Sequence, residues 1–236
     1  MQNILVSRTK NQAKEVVKII ENKGFKAFVE PLFLIKNFMI KKQISPEEIL
    51  QTSFVIITSS NAIKALNQLN LAKNTKIFAV GIKTAKILES HGFNNVFFPK
   101  KSSALDLKNL IIKSKLNKEG LVIYLHGSKI TLDFKGELKK YGFEVKKILA
   151  YETTEINSFS PKLLEFCSKN RFSHILLFSK NNAKTFFNLA KKHNLLEYLA
   201  HSQIVCLSEE ILFDVKNFGF KNSITFADFP ILKNFL

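Results

Sequence analysis

The sequence lacks the motifs by which metal sites and common nucleophiles are recognised. Its two cysteines, Cys167 and Cys206, have neither CxxC nor metal-ligand spacing, which favours buried free thiols in a reducing compartment. The histidines show no HxH or HExxH spacing, and no GxSxG elbow is present. Neither a GxxxxGK[ST] phosphate loop nor a GxGxxG fingerprint occurs. These absences argue against a metal centre, a serine hydrolase and a nucleotide-binding enzyme of those types.

Long apolar runs are also missing. No stretch approaches the roughly 20 apolar residues that are needed to span a bilayer. The N-terminal residues lack the charged start and apolar core of a signal peptide. The sequence therefore predicts a soluble, cytoplasmic protein.

Arginine is scarce although the chain is strongly basic. The formal net charge is +17, and of the 36 basic residues only Arg8 and Arg171 are arginine. Arginine is the preferred residue for forked phosphate recognition, so a dedicated nucleic-acid surface is not favoured. A milder consequence follows from the charge itself: a positive field attracts small polyanionic substrates.

Short apolar runs alternate with segments of helical period. Residues 4–6 and 26–30 read as strands, and the helix predicted between them, over 11–23, ends at Gly24. The same alternation continues along the chain. Strands that alternate with helices predict βαβ units and parallel sheets covered by helices on both faces.

The pattern then repeats within the chain. The helix end at Gly24 has a counterpart at Gly142, and that at Gly92 has one at Gly219. The helix-opening strings 58–62 and 179–183 align on their alanines. Two similar α/β units are therefore expected.

The boundary between the units is open at this level. Residues 28–36 and 145–153 are extended stretches, each too long for one strand, at equivalent places in the repeat. If each leaves one domain and enters the other, they pair as a two-stranded hinge and the first domain is discontinuous. Two consecutive domains split near residue 118 remain the alternative.

The strongest local signal is a hydroxyl-rich turn between a strand and a helix. Such side chains cap free N–H groups, and the same N–H groups with the helix dipole favour an anion. In parallel sheets these loops lie at the carboxyl ends of strands, where ligands usually bind. Two copies in two domains predict one ligand, with carboxylates at both ends, held in a cleft. The candidate binding residues in these copies are Thr58, Ser59 and Ser60, and Ser179, Lys180 and Asn181.

Five further residues, at three places in the chain, are candidates. Gly81 and Thr84 open another helix after a strand, where glycine lets the backbone approach a ligand and threonine caps or binds. His126 and Gly127 end a strand and are candidates to line the cleft. Tyr151 lies in the second extended stretch. It is either a packing residue or, at a domain junction, a proton donor.

The ordered set of these motifs resembles uroporphyrinogen-III synthases over essentially the whole chain. The residues that carry the resemblance lie at 4–8, 31–32, 54–62, 79–85, 142–145, 151–153 and 178–179. The sequence departs from the family at Thr9, where proline is frequent, and at 208–210, where Ser-Glu-Glu replaces a common Gly and Thr.

The resemblance implies a particular architecture. Two Rossmann-like or flavodoxin-like α/β domains with parallel sheets are joined by a two-stranded β-ladder. The expected domains are 1–32 with 155–236, and 38–148. The hinge strands are then 33–37 and 149–154, which favours the crossover over consecutive domains.

The resemblance also implies a function. The enzyme cyclises hydroxymethylbilane to uroporphyrinogen III, with inversion of ring D and loss of water, in tetrapyrrole and haem biosynthesis. No cofactor is implied, and the chain is expected to be a monomer that receives its substrate from hydroxymethylbilane synthase. Tyr151 matches the tyrosine proposed as the acid for loss of the hydroxyl. The loops that face the product in that family contain Thr58, Ser59, Gly81, Thr84 and Ser179. The alternative is a two-domain α/β small-molecule-binding protein without catalysis.

Overall fold

The computed structural model describes residues 2–233 and residue 235. The chain divides into two compact units. The first unit comprises Met1–Leu34 and Thr154–Leu236, and the second comprises Ile35–Thr153. Whether these units fold as domains with the limits and hinge strands expected from the sequence stays a prediction.

Strands and helices alternate along most of the chain. The strands are β1 (Asn3–Val6), β2 (Lys26–Val29), β3 (Phe33–Asn37), β4 (Thr52–Ile57), β5 (Ile77–Ala79), β6 (Val96–Phe97), β7 (Leu121–Gly127), β8 (Glu144–Glu155), β9 (Phe172–Leu177), β10 (Gln203–Cys206) and β11 (Ser223–Thr225). The helices are α1 (Lys10–Asn22), α2 (Pro46–Leu50), α3 (Ile63–Gln68), α4 (Ile82–Ser90), α5 (Ala104–Lys113), α6 (Phe134–Lys139), α7 (Pro161–Lys169), α8 (Lys180–Lys192), α9 (Leu196–Leu199) and α10 (Glu209–Asn217). A short 3-10 helix, Ser60–Ala62, precedes α3.

Each unit is built on one sheet. The first sheet has the order β11-β10-β9-β1-β2, and every neighbouring pair in it is parallel. The second has the order β3-β8-β7-β4-β5-β6, and its pairs from β8 to β6 are parallel. Beside β8, β3 runs antiparallel, since the N–H of Phe38 donates to Ala150 O at 3.0 Å and that of Ile156 to Leu32 O at 3.1 Å. The predicted α/β fold with two parallel sheets is confirmed.

Apolar spacing along the helices explains how they cover the sheets. In α1, for example, Ala13, Val16 and Ile20 recur at helical spacing and are buried against the first sheet. The helix ends before Gly24, whose φ of +80° is the left-handed conformation that glycine adopts without strain. The other three glycines that the sequence repeat matched, Gly92, Gly142 and Gly219, also have positive φ.

The two extended stretches differ from each other. Residues 28–36 are interrupted between β2 and β3, where Pro31 cannot donate a ladder hydrogen bond. The neighbouring carboxylate of Glu30 is buried and accepts hydrogen bonds from the N–H and Oγ of Ser160, both at 2.7 Å. The second stretch lies within one continuous strand, β8. The expectation that each stretch is too long for one strand is therefore wrong for residues 145–153.

In each sheet the strand order reverses at one place. In the first sheet, β1 leads to β2 at one edge and β9 leads to β10 and β11 at the other. The helices that follow, α1 and α8, pack on opposite faces. In the second sheet, β4 and β7 are the corresponding neighbours, with α3 and α6 on opposite faces. Ligands of open α/β sheets usually bind outside the carboxyl ends of strands at such a switch point.

Within residues 2–233 and 235, no helix has the length and apolarity that crossing a membrane requires.

Candidate active site

Most of the predicted site residues follow strands of the second sheet. Thr58 and Ser59 follow β4, Gly81 follows β5, and His126 and Gly127 end β7. Since β7, β4 and β5 are consecutive parallel neighbours, their carboxyl ends lie at the same edge. The structure thus brings these residues together at the switch point of the second unit.

Tyr151 joins this edge through an irregularity in β8. His126 pairs with Leu149, but Gly127 pairs with Tyr151, so Ala150 is an extra residue. Side chains alternate between the faces of a strand, and a bulge reverses that alternation. Without it, Ala150 would pair with Gly127 and Tyr151 would point to the other face. The bulge instead places Tyr151 against the same cluster as Leu125 and Ile148.

The phenol of Tyr151 lies directly over Gly127. A Cβ atom at position 127 would be 2.6 Å from Cζ and 2.8 Å from the hydroxyl oxygen of Tyr151. Any side chain there would displace the ring. Gly127 was predicted to bind substrate, and the structure adds a contact that the sequence did not predict: this glycine makes room for the candidate acid.

A second tyrosine at this edge was missed by the sequence reasoning. Tyr124 is only 2% exposed, and its hydroxyl lies 3.5 Å from Thr58 Oγ1 across the β4–β7 junction. Burial is the largest cause that raises its pKa, and the hydrogen bond with Thr58 opposes the rise. Tyr124 therefore remains protonated and can donate. Its signal in the sequence was its place two residues before His126, on the same strand face.

His126 presents a neutral imidazole. Its Nδ1 lies 2.8 Å from Gly127 O, and because a carbonyl only accepts, Nδ1 carries the proton and Nε2 is an acceptor. Burial is the main cause that lowers the pKa of His126, and the charge of Lys147 lowers it further, while the Gly127 carbonyl opposes. The ring also contacts that of Tyr124, with centroids 5.3 Å apart.

The turn that opens α4 is tightly packed. Gly81 is the N-cap residue of α4. Its backbone is extended, with φ of −177° and ψ of 174°, and it has no side chain to cap the helix. A Cβ at this position would lie 2.7 Å from Ser102 Cβ, so packing against Ser102 already requires glycine. Thr84 is 7% exposed in the first turn of the helix. Replacing Gly81 therefore tests ligand contact only when Ser102 is shortened as well.

The predicted site residues of the first unit follow β9 and are exposed. Ser179 caps α8, its Oγ accepting from the N–H of Asn182 at 3.1 Å. Lys180 forms an ion pair of 3.5 Å with Glu210, at the start of α10. Asn181 is exposed in the first helical turn. Capping is thus the observed role of Ser179, and Lys180 is partly neutralised.

A buried amide fills the switch point of the first unit. Asn182 donates to Ser7 O at 2.8 Å and accepts from the N–H of Phe178 at 3.1 Å. Ser7 Oγ lies 2.6 Å from Asn182 Oδ1 and 2.5 Å from Leu176 O. These groups satisfy one another where β1 and β9 separate, so they hold the strand ends together rather than face a ligand.

Among residues 2–233 and 235, no group of three or more His, Cys, Asp or Glu side chains forms a possible metal site. Cys167 and Cys206 are buried free thiols. Burial raises the pKa of Cys206 to about 12, and the charge of Glu209 adds to the rise.

Comparisons with known proteins identify the family and the fold of the chain. A family model described as uroporphyrinogen-III synthase HemD matches residues 14–228. The fold is similar to the crystal structure of uroporphyrinogen-III synthetase from Helicobacter pylori, with 17% identity, a TM-score of 0.60, and coverage of 95% of this chain and 92% of that one. It is also similar to a mutant uroporphyrinogen III synthase from the extremely thermophilic bacterium Thermus thermophilus, with 15% identity, a TM-score of 0.56, and coverage of 100% and 97%.

Proposed function

The chain belongs to the uroporphyrinogen-III synthase family, and on that premise we propose that the carboxyl edge of its second unit carries the reactive end of the substrate. The enzyme is a cyclising hydro-lyase that converts hydroxymethylbilane to uroporphyrinogen III. The position of the Tyr151 phenol over Gly127 is the single observation on which we base the placement of the reaction in this unit.

The chemistry requires little beyond orientation and one proton. A pyrrole nitrogen expels the terminal hydroxyl, which leaves as water once it is protonated, and an electrophilic azafulvene remains. The substituted carbon of ring D must attack this centre to give a spiro intermediate, which fragments and recloses. Holding the reactants in this geometry is an orientation task. Hydroxyls, main-chain N–H groups and one weak acid are sufficient for it.

Tyr151 is the proposed general acid. Its phenol is half-buried at the switch-point edge, and its ring is fixed between the backbone of Gly127 and the apolar cluster below. A fixed hydroxyl costs less entropy to align with a leaving group than a mobile one does. Tyr124 and Thr58 provide further hydroxyls at the same edge.

The proposed substrate-binding residues are those at the strand ends. In the second unit they are Thr58, Ser59, Ser60, Gly81, Thr84, His126 and Gly127, and in the first unit Ser179, Lys180 and Asn181. Exposed lysines on loops of the second unit, Lys101 and Lys129, suit a substrate that carries many carboxylates. Thr84 and Gly127 are buried, so their contribution is through backbone and packing.

The test is a coupled assay with hydroxymethylbilane made in place by hydroxymethylbilane synthase. Wild-type chain should give mainly the type III isomer, whereas buffer alone gives type I by unassisted closure. Failure of the chain to raise the ratio of type III to type I product would contradict the proposal and favour a small-molecule-binding role without catalysis.

Two finer features complete the proposal. The chain acts as a cytoplasmic monomer, and it receives hydroxymethylbilane from hydroxymethylbilane synthase. Sedimentation velocity tests the monomeric state, and cell fractionation tests the location. For the second, turnover in the coupled assay should resist an added trap for free hydroxymethylbilane; complete trapping would contradict handover.

A further inference from the structure

Arg8 is a half-buried charged group with no ion pair to any of the described residues. It directly follows Ser7 at the end of β1, and its guanidinium lies over the Phe178 ring, 4.2 Å from the centroid. In the part of the chain that the structure describes, no carboxylate pairs with Arg8 and no acceptor takes a hydrogen bond from its side chain. Burial lowers its pKa, and the more distant charge of Glu15 opposes that effect. The five N–H donors of its half-buried guanidinium therefore make no hydrogen bond with the described residues.

The position of Arg8 is that of a ligand contact. It lies where β1 and β9 meet, at the carboxyl edge and the switch point of the first sheet. The other buried polar groups at that edge already have partners. Asn182 and Ser7 are hydrogen-bonded to each other, and the Glu30 carboxylate accepts hydrogen bonds from Ser160. Arg8 alone among these four side chains offers an unfilled hydrogen-bonding face.

The chemistry of the group defines what fits it. A guanidinium is a planar fork that matches a carboxylate with two parallel hydrogen bonds, and stacking on an aromatic ring fixes its plane. Leaving such donors half-buried and unpaired is costly, so a ligand that fills them regains the lost solvation. The substrate of this family carries acetate and propionate side chains.

We propose that Arg8 binds one carboxylate of the linear tetrapyrrole through its guanidinium fork. This inference rests on the proposed function, because it takes hydroxymethylbilane as the ligand. It adds a residue from the first unit that neither the sequence motifs nor the helix starts predicted as a binding group.

The chain contains a matched control in Arg171. Its guanidinium also lies over an aromatic ring, that of Tyr198 at 5.2 Å, and its side chain donates to Tyr198 O at 3.4 Å. It directly precedes β9 and so lies at the amino edge of the same sheet. Replacing Arg8 or Arg171 removes the same charge and the same kind of stacking, and the two differ in the edge they occupy.

The experiment compares Arg8→Gln, Arg8→Lys and Arg171→Gln by KM, kcat, isomer ratio and Tm. Arg8→Gln should raise KM for hydroxymethylbilane by about 10-fold to 100-fold, the range expected for a lost charge-assisted contact. It should also release more type I product. Arg8→Lys should fall between wild type and Arg8→Gln, since the charge stays and the fork is lost. Arg171→Gln should change KM less than about twofold, as rim charges far from the ligand do.

Equal KM values for Arg8→Gln and Arg171→Gln would overturn the inference. If Arg8→Gln does not fold, Arg8→Lys is the deciding variant, because it keeps the charge and the apolar stem. A wild-type KM in Arg8→Lys would then show that the guanidinium fork does not bind the substrate. Binding of uroporphyrin III, followed by its fluorescence, repeats the comparison without catalysis. A wild-type chain that forms no type III isomer contradicts the proposed function, whereas an active chain indifferent to Arg8→Gln contradicts only the role of Arg8.

Discussion

The switch points of the two units have the same scaffold and different chemistry. In the second sheet Ile57 pairs with Leu125, so the next residues, Thr58 and His126, face each other. In the first sheet Val6 pairs with Leu176, so two residues further on Arg8 faces Phe178. A neutral imidazole beside hydroxyls thus corresponds to a permanent cation stacked on a ring. On the proposals above, the second unit would carry the proton chemistry and the first would recognise the charge of a substrate carboxylate.

The neighbouring strand differs in the same sense. In the second unit β8 continues past the switch point, and its bulge delivers Tyr151 to the edge. In the first unit the corresponding strand, β2, ends before Glu30, whose carboxylate accepts hydrogen bonds from Ser160. The strand in the first unit therefore brings no tyrosine to the corresponding place. The Glu30 carboxylate that follows it has a structural role, because it is hydrogen-bonded to Ser160.

The largest effect is expected at Tyr151. If the second unit supplies the acid, Tyr151→Phe should slow formation of type III product by up to about 10²-fold, at the low end for general acids, because the pyrrole nitrogen also drives departure of the hydroxyl. Single-turnover rates measure this. Tyr141→Phe is the control, since Tyr141 is an exposed tyrosine of the same unit. Full single-turnover rate in Tyr151→Phe would make Tyr151 a packing residue and remove the proposed division.

Gly127→Ala tests how Tyr151 is positioned. The added Cβ would overlap the phenol ring, so we expect a loss of about 1–3 kcal/mol in the free energy of unfolding, typical of overpacking, and slower turnover. In a Tyr151→Ala background the same change should cost little, because no ring remains to be displaced. Denaturant unfolding of the four variants closes the cycle. Additive losses in the cycle would show that the two residues are not coupled.

Thr58→Ala and Ser179→Ala compare the two hydroxyl turns directly. Each should cost about 1 kcal/mol, the net value of one hydrogen bond. For Ser179 the loss should appear mainly in stability, because its Oγ caps α8 and its proposed contact with substrate is through the main chain. For Thr58 the loss should appear as about a fivefold lower kcat/KM. Thermal unfolding and steady-state kinetics separate the two. A kinetic loss at Ser179 equal to that at Thr58 would mean that both turns bind substrate alike.

The smallest effect concerns pH. The folded state lowers the pKa of His126 below its unfolded value of about 6.5. Between those values the unfolded chain binds more protons, so the contribution to stability is complete above about pH 6.5 and is lost as pH falls through the folded pKa. His126→Gln should flatten the fall of Tm on acidification below about pH 6.5. His201→Gln, at an exposed histidine, should not; an unchanged slope in His126→Gln would argue that this imidazole is not held neutral.

Local pattern was sufficient for most of the fold. Alternating apolar runs and helical spacing predicted the parallel sheets, because both depend on residues within one segment and on which face is buried. The internal repeat was predicted from helices that end at glycine. This also depends on local sequence, because the positive φ at Gly24 and Gly142 favours glycine at those positions. The ordered motifs were also sufficient for the family.

Alignment of the helix starts shows where local pattern fails. Matching Ala62 with Ala183 sets Thr58 against Ser179, but the strand ends and caps match Ser59 with Ser179. The offset arises because one helix is preceded by a 3-10 turn and the other begins with a regular α-helical turn. Thr58 therefore corresponds to Phe178, which is the platform of Arg8.

The sequence by itself determined the parallel α/β architecture, the repeat and the residues that end each strand. Only the tertiary structure decided what those residues contact. Three contacts join segments that are separated in the chain: Tyr151 with Gly127 through the bulge, Ser102 with Gly81, and the Arg8 guanidinium with the Phe178 ring. Such contacts depend on register and strand order across a sheet, and a one-residue shift in either reverses the face on which a side chain lies.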